Sequence, residues 1–229
     1  MTKRPRIAVL LDENTSTGGT RYDMTKGYFA GVHQAGGEPY GIPYFLDMAR
    51  GVARDFDGFL AVGGRFAYPD AWYLDGEVSP SPQSERLPVE RALMEGFLGA
   101  DKPVLGICAG MQMLACLHDC RLTPDVRTLG AHVGEHDRRD RMHLVSFTPG
   151  SLMAGIVGPS LVVNSFHREA VAALSDRVVA SGRAEDGVVE AIEVPSHRFA
   201  VGVQWHQELL ADHAGNRLFD AFVAACASR

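Results

Sequence analysis

The sequence predicts an α/β fold built on a mostly parallel sheet, and three observations predict it. Short apolar runs at residues 7–11, 58–62 and 103–107 are of the kind used by strands buried on both faces. Helical segments alternate with them, as crossover connections between parallel strands require. Glycine pairs, Gly36-Gly37 and Gly63-Gly64, punctuate the alternation where a helix or a strand should stop.

Taken in order, residues 7–11 (IAVLL) form the first strand, followed by a polar loop over 13–20 rich in Thr, Ser and Gly. Residues 22–35 read as a helix, stopped by Gly36-Gly37. A short second strand is expected at 41–44 and a third at 58–62 (GFLAV). Residues 65–86 hold Pro69, Pro80 and Pro82 among the aromatic Phe66, Tyr68, Trp72 and Tyr73. Loops of this length inside a compact domain are usually functional or mobile. A helix over 88–98 leads into the strand at 103–107, and another helix covers 109–118. From 122 to 142 the patterning weakens and charge rises (GEHDRRDRM). Strands return at 161–163, 178–180, 188–192 and 199–204, several of them antiparallel, before a last helix over 214–227. No repeat or linker divides the chain, so one domain over 1–229 is expected.

Composition narrows the function classes. A net charge of −6 argues against a nucleic-acid surface, which shows a basic excess. Lys3, Arg4 and Arg6 are followed by no apolar run of signal-peptide length, and no stretch approaches membrane-spanning length. The cytoplasm is the expected compartment. Cys108, Cys116, Cys120 and Cys226 show no secreted disulfide framework; Cys116 and Cys120, four apart, fit one buried helix face. His118, His132, His136 and His143 have no tight ligand spacing, and the Asp/Arg run around them suggests a solvated face. No metal is expected.

Two segments carry chemistry. Residues 104–112 (VLGICAGMQ) join a buried strand to a helix around Gly106-Ile107-Cys108-Ala109-Gly110. This is the thiol counterpart of the strand–turn–helix elbow of serine hydrolases, which sets a nucleophile at a helix N-terminus where free N–H groups favour a thiolate. Taken alone, the pattern equally describes a buried cysteine between glycines. Far along the chain, residues 199–208 (FAVGVQWHQE) run a hydrophobic strand into His206 and Glu208. Residues two apart in extended chain point to the same side, so Glu208 can hold one imidazole nitrogen while the other faces a thiol. Cys108, His206 and Glu208 then have the types needed for nucleophile, base and orienter.

With both segments in view, the chain resembles the class I (triad) glutamine amidotransferase superfamily, nearest its peptidase C26, or γ-glutamyl-γ-aminobutyrate hydrolase, branch. The resemblance spans nearly the whole chain. Its marks are Ala35-Gly36-Gly37 with Ile42-Pro43, Asp57-Gly58 through Gly63-Gly64, and the elbow from Pro103 to Cys108. Asn164-Ser165-Phe166-His167, Asp186-Gly187 with Glu190-Ala191-Ile192-Glu193, and the stretch from Gly202 to Glu208 complete them. The chain departs from the family pattern at Ala109, where Arg is usual, and at Gln207, where Pro is usual.

The resemblance implies a flavodoxin-like fold with a mostly parallel central sheet, flanking helices and extra antiparallel strands. It implies Cys108 as nucleophile, His206 as base and Glu208 as orienter. An oxyanion hole would come from the N–H of Ala109 and one from the Gly63-Gly64 turn. Gln112, Asn164, Ser165, Phe166 and His167 are candidates for holding the glutamyl group, or are ordinary polar residues of a helix and a loop. The activity implied is hydrolysis of a γ-glutamyl amide through a thioester, with a small-molecule substrate and no cofactor. Two alternatives stand beside it: an ammonia-supplying glutaminase subunit with a separate synthetase partner, and a binding or regulatory protein that lost catalysis. A homodimer is left open.

Overall fold

The computed structural model of the chain describes residues 3–13, 18–210 and 216–228. In the first strand, β1 (Arg6–Leu10), Ile7 to Leu10 are sealed from solvent on both faces, as a central parallel strand requires. It lies between β2 (Glu38–Ile42) and β3 (Gly58–Ala61) and runs parallel to both. β4 (Val104–Ile107) and β11 (Ala200–Val203) extend the parallel array. Beyond β11 the same sheet turns antiparallel through β10 (Val189–Glu193), β9 (Val179–Ala184), β6 (Asp137–Phe147) and β7 (Ser160–Phe166). Among the described residues this makes a nine-stranded sheet, with β5 (Arg121–Thr123) and β8 (Ala170–Ala173) pairing separately.

Helices cover both faces. α1 (Lys26–Gln34), α5 (Leu152–Val157) and α6 (Asn216–Ala227) bury Val32, Met153, Leu218, Phe219 and Phe222 against one side. α2 (Ala49–Asp55), α3 (Arg86–Gly99) and α4 (Ala109–Cys116) bury Val52, Leu93, Phe97 and Leu114 against the other. Each such side chain contributes about 1.5–3 kcal/mol when fully buried, so the sheet is clamped from both faces. Among the described residues no helix is long and apolar enough to cross a membrane.

Several element bounds differ from the sequence reading, each for a physical reason. The first helix starts at Lys26 because residues 22–25 are held by the end of β1: Glu13 bridges Tyr22, and the Asp23 N–H donates to the Asp12 carbonyl at 2.9 Å. Of the polar loop, residues 14–17 lie outside the described residues, as do 214 and 215 of the last helix. β2 begins three residues early, at Glu38-Pro39, a pair that does not look like strand; it is tolerated because β2 is the sheet's edge. The helix after Cys108 stops at Cys116, so Cys120 sits beyond it, and all four cysteines are free and buried. The weakly patterned, charged stretch before Met142 becomes regular from Asp137, as the first part of β6, a hairpin arm with a register shift against β7 between Arg138 and Met142.

Candidate active site

Cys108 joins β4 to α4 with φ 52° and ψ −105°, a backbone conformation that costs a non-glycine residue about 1–3 kcal/mol. The surroundings hold it there. Its N–H donates to the Val203 carbonyl of β11 at 2.7 Å, and its own carbonyl accepts from the Gln112 N–H at 3.2 Å. α4 folds back over β4 so closely that a Cβ on Gly106 would lie 2.5 Å from the carbonyl carbon and oxygen of Gly110. Only glycine fits there.

His206 follows β11, and Glu208 lies in a 3₁₀ turn over Gln207–Leu209. The two are therefore not neighbours on one extended strand, as the spacing alone suggests; the turn brings the carboxylate back. The result is a bond of 2.7 Å between Glu208 Oε1 and His206 Nδ1. With Nδ1 committed, Nε2 is left for the Cys108 thiol, which lies within hydrogen-bonding reach of the ring. Burial works against a charged imidazole here, but the Cys108 sulfur and the Glu208 carboxylate outweigh it and push His206 up to about 10. The structure thus brings Cys108, His206 and Glu208 together from three separate segments.

They edge a cavity of about 770 Å³ whose lining includes the acidic Asp12, Glu13 and Asp23 and the basic Arg65, Arg139 and Arg168. Phe66, Tyr68 and Pro80 to Pro82 also line it, so the long 65–86 segment forms a wall of the site. That segment is packed, with Phe66, Tyr68 and Tyr73 buried. Phe166 lies in the cavity with the Arg65 and Arg139 guanidinium carbons each 4.5 Å from its ring centre. Gln112 reaches the cavity while its Nε2 donates to the Glu169 carbonyl at 2.9 Å and to Gln204 Oε1 at 3.1 Å.

Two candidate substrate contacts are placed elsewhere. Asn164 clamps the His206 backbone: its Nδ2 donates to the His206 carbonyl and its Oδ1 accepts from the His206 N–H, both at 2.8 Å. Ser165 is fully buried, its hydroxyl donating to the His136 carbonyl at 3.0 Å. Neither lines the cavity. Alternation along β7 turns Ser165 away from the face of Phe166, while Asn164 is taken up by the His206 backbone. His167 lines the cavity, yet its Nε2 turns inward to Glu190.

The Gly63-Gly64 turn is also more occupied than its glycines suggest. The Gly63 N–H donates to the Tyr28 hydroxyl at 3.0 Å, which takes it out of an oxyanion hole. Tyr28 is buried, and burial together with the nearby Glu208 charge pushes its phenol well above the usual range. The turn is anchored from below by Arg86, which donates to the Val62 and Gly63 carbonyls and pairs with Glu90 and Asp12. Tyr28, Arg86 and Glu90 carry no sequence signal of this role, because each sits on an ordinary helix face.

His136 and His143 correct the solvated-face reading. His136 is 1% exposed, and both approach the fully buried Glu190. Their charged sequence neighbours point outward from β6, but the histidines point in. His132 is exposed and His118 is buried, with its Nδ1 at 2.9 Å from the Leu114 carbonyl.

The chain is similar in sequence and fold to known proteins. A γ-glutamyl-γ-aminobutyrate hydrolase of Escherichia coli O157:H7 is 27% identical, the match covering 97% of this chain and 93% of that protein. Among solved structures, a GMP synthase component from Thermoplasma acidophilum aligns over 100% of this chain and 96% of its own, with a TM-score of 0.70 at 16% identity. The glutaminase domain of Trypanosoma brucei CTPS, solved with bound acivicin, covers 98% of this chain and 94% of its own, with a TM-score of 0.66 at 18% identity. The fold is thus the flavodoxin-like one of class I glutamine amidotransferases. The family profile of peptidase C26 matches residues 7–208, from β1 to Glu208, and the chain belongs to that family.

Proposed function

We propose that the protein hydrolyses the γ-amide bond of a γ-glutamyl compound through a thioester on Cys108. The observation that carries this reading is the strained Cys108 at the helix N-terminus, within reach of a His206 that Glu208 holds, at the edge of a large polar cavity. A raised His206 is a strong base toward the Cys108 thiol, able to hold its proton while the sulfur attacks. The thiolate attacks the γ-carbonyl, and His206 gives its proton to the departing amine. Neutral His206 then takes a proton from water as it opens the thioester and frees glutamate.

Roles follow from placement. With Gly63 engaged by Tyr28, the N–H groups of Gly64 and Ala109 are the donors for the oxyanion, each worth about 3–4 kcal/mol in such sites. The acidic and basic residues that line the cavity suit the paired ammonium and carboxylate of a glutamyl group. Phe166 and Gln112 line that space; Asn164 positions His206. The substrate is a small molecule, and a synthetase partner is needed only if ammonia is the product passed on.

The test is a panel of γ-glutamyl amides assayed for glutamate release, with Cys108→Ala beside the wild type. The expected result is turnover without added protein, falling by at least about 10⁴-fold in the variant. A fully active variant would overturn the mechanism. Glutamine hydrolysis seen only with a co-purified partner would favour the ammonia-supplying role instead.

A further inference from the structure

We propose that His136, His143 and Glu190, closed by His167, form a binding site for one divalent metal ion of the zinc class. The site is separate from Cys108 and draws on β6, β7 and β10 of the antiparallel half of the sheet, where β9 lies between β10 and β6. His143 comes from β6, with His136 just before it; His167 follows β7, and Glu190 comes from β10. Such dispersal explains why no ligand spacing shows in the sequence.

The first argument is an unbalanced carboxylate. Glu190 is fully buried, and neither of its oxygens has a hydrogen-bond partner. His167 Nε2 and both ring nitrogens of His143 are buried and likewise make no hydrogen bond. Leaving an ionised carboxylate in this state costs several kcal/mol unless a cation compensates.

The second argument is distance. Glu190 Oε1 lies 3.4 Å from His136 Nδ1, 3.3 Å from His143 Nε2 and 3.4 Å from His167 Nε2. Charge-assisted hydrogen bonds would be shorter, about 2.7–2.9 Å. Ligands around a tetrahedral ion with bonds of about 2.0–2.1 Å stand about 3.4 Å apart. Donor atoms of His136, His143 and Glu190 all lie within 4.8 Å of one another. His167 Nε2 already reaches Glu190 Oε1 and is the side chain that would have to swing in to close the fourth position.

Third, the outer partners are those of metal-binding histidines. His136 Nε2 is 3.0 Å from Asp186 Oδ2, and His167 Nδ1 is 3.1 Å from the Glu169 carbonyl. Each bond takes the proton on one nitrogen and leaves the other lone pair for an ion. The Ser165 hydroxyl lies 3.1 Å from His136 Nδ1 and 3.0 Å from the His136 carbonyl; when it donates to the carbonyl, the Nδ1 lone pair is left for an ion. Charge balances too: a divalent ion against the Glu190 and Asp186 carboxylates sums to zero. An imidazole-rich donor set selects zinc-like ions over calcium or magnesium. The ion would fasten the hairpin that presents Phe166 to the cavity and Asn164 to His206, and it takes no part in the thiol chemistry.

The test is metal content and affinity in the full chain, stripped with a chelator and reloaded with Zn²⁺ or Co²⁺. The expected result is one ion per chain, a visible absorption band of tetrahedral Co²⁺ with imidazole ligands, and a higher melting temperature with Zn²⁺. Glu190→Gln and His143→Gln should each weaken binding by at least about 100-fold, while Cys108→Ala keeps it. If Glu190→Gln does not fold, His143→Gln, at the cluster's edge, decides. Failure of the wild type to bind, binding unchanged in both variants, or an ion lost with Cys108→Ala would each overturn the proposal and leave an imidazole–carboxylate network. None of these readouts depends on hydrolysis, so the two proposals fail separately.

Discussion

The two halves of the sheet build the site by different means. In the parallel half, backbone does it: β4 ends in a strained Cys108, α4 packs on Gly106, and β11 accepts the Cys108 N–H. In the antiparallel half, side chains do it: Asn164 on β7 grips His206, and Glu190 on β10 gathers three histidines. Close backbone packing admits one residue type and tolerates little. A side-chain clamp is distributed over several bonds and yields by degrees.

The sharpest break of this comparison is Gly106→Ala. The new Cβ would meet backbone atoms of Gly110 and Met111, which no rotamer change can move aside. The expected loss is at least about 3 kcal/mol, read as a fall in the urea midpoint or as an absence of folded chain. A loss under about 1 kcal/mol would show that α4 can lift from β4, and the contrast would collapse. Next in size is Glu208→Gln, which keeps the shape and removes the charge. In the wild type His206 is raised from the ordinary 6.5 to about 10, so its charged contacts are fully present below about pH 6.5 and lost as pH rises through about 10. The variant should lower the alkaline limb of the kcat/KM profile toward neutrality, with kcat down by about 10²-fold. An unmoved limb would mean that Glu208 does not set the His206 charge.

The same contrast explains what was legible. The elbow and the His206-Gln207-Glu208 segment announce themselves because a backbone constraint demands glycine at fixed offsets from the thiol, and because the triad types stand in short runs. Even there the reason for one contact differed, since Glu208 returns to His206 through a 3₁₀ turn and not along a strand. In the antiparallel half the pattern failed. The arm Asp137–Phe147 is masked by the charge on its solvated face, and His136, His143, His167 and Glu190 meet only when the antiparallel strands assemble into one sheet. Tyr28, which takes the Gly63 N–H, lies on a helix face where any large residue would satisfy the periodicity. Position in the fold, and not residue type, makes these groups functional.

The smallest expected effect tests whether the side-chain clamp acts through His206 or on the substrate itself. Asn164→Ala removes both bonds to the His206 backbone and strands a buried N–H and carbonyl. The cost is about 1–3 kcal/mol of stability, measured by denaturant unfolding. Catalysis should fall by about 10-fold in kcat with KM unchanged, because the imidazole is less firmly placed while the cavity wall is intact. Asn164→Asp keeps the acceptor for the His206 N–H and loses the donor to its carbonyl, so it should fall between wild type and Ala in both measures. A rise in KM with kcat preserved would mean that Asn164 touches the glutamyl group after all. The two halves of the sheet would then share one substrate site, and the division between a backbone-built nucleophile and a side-chain-built support would not hold.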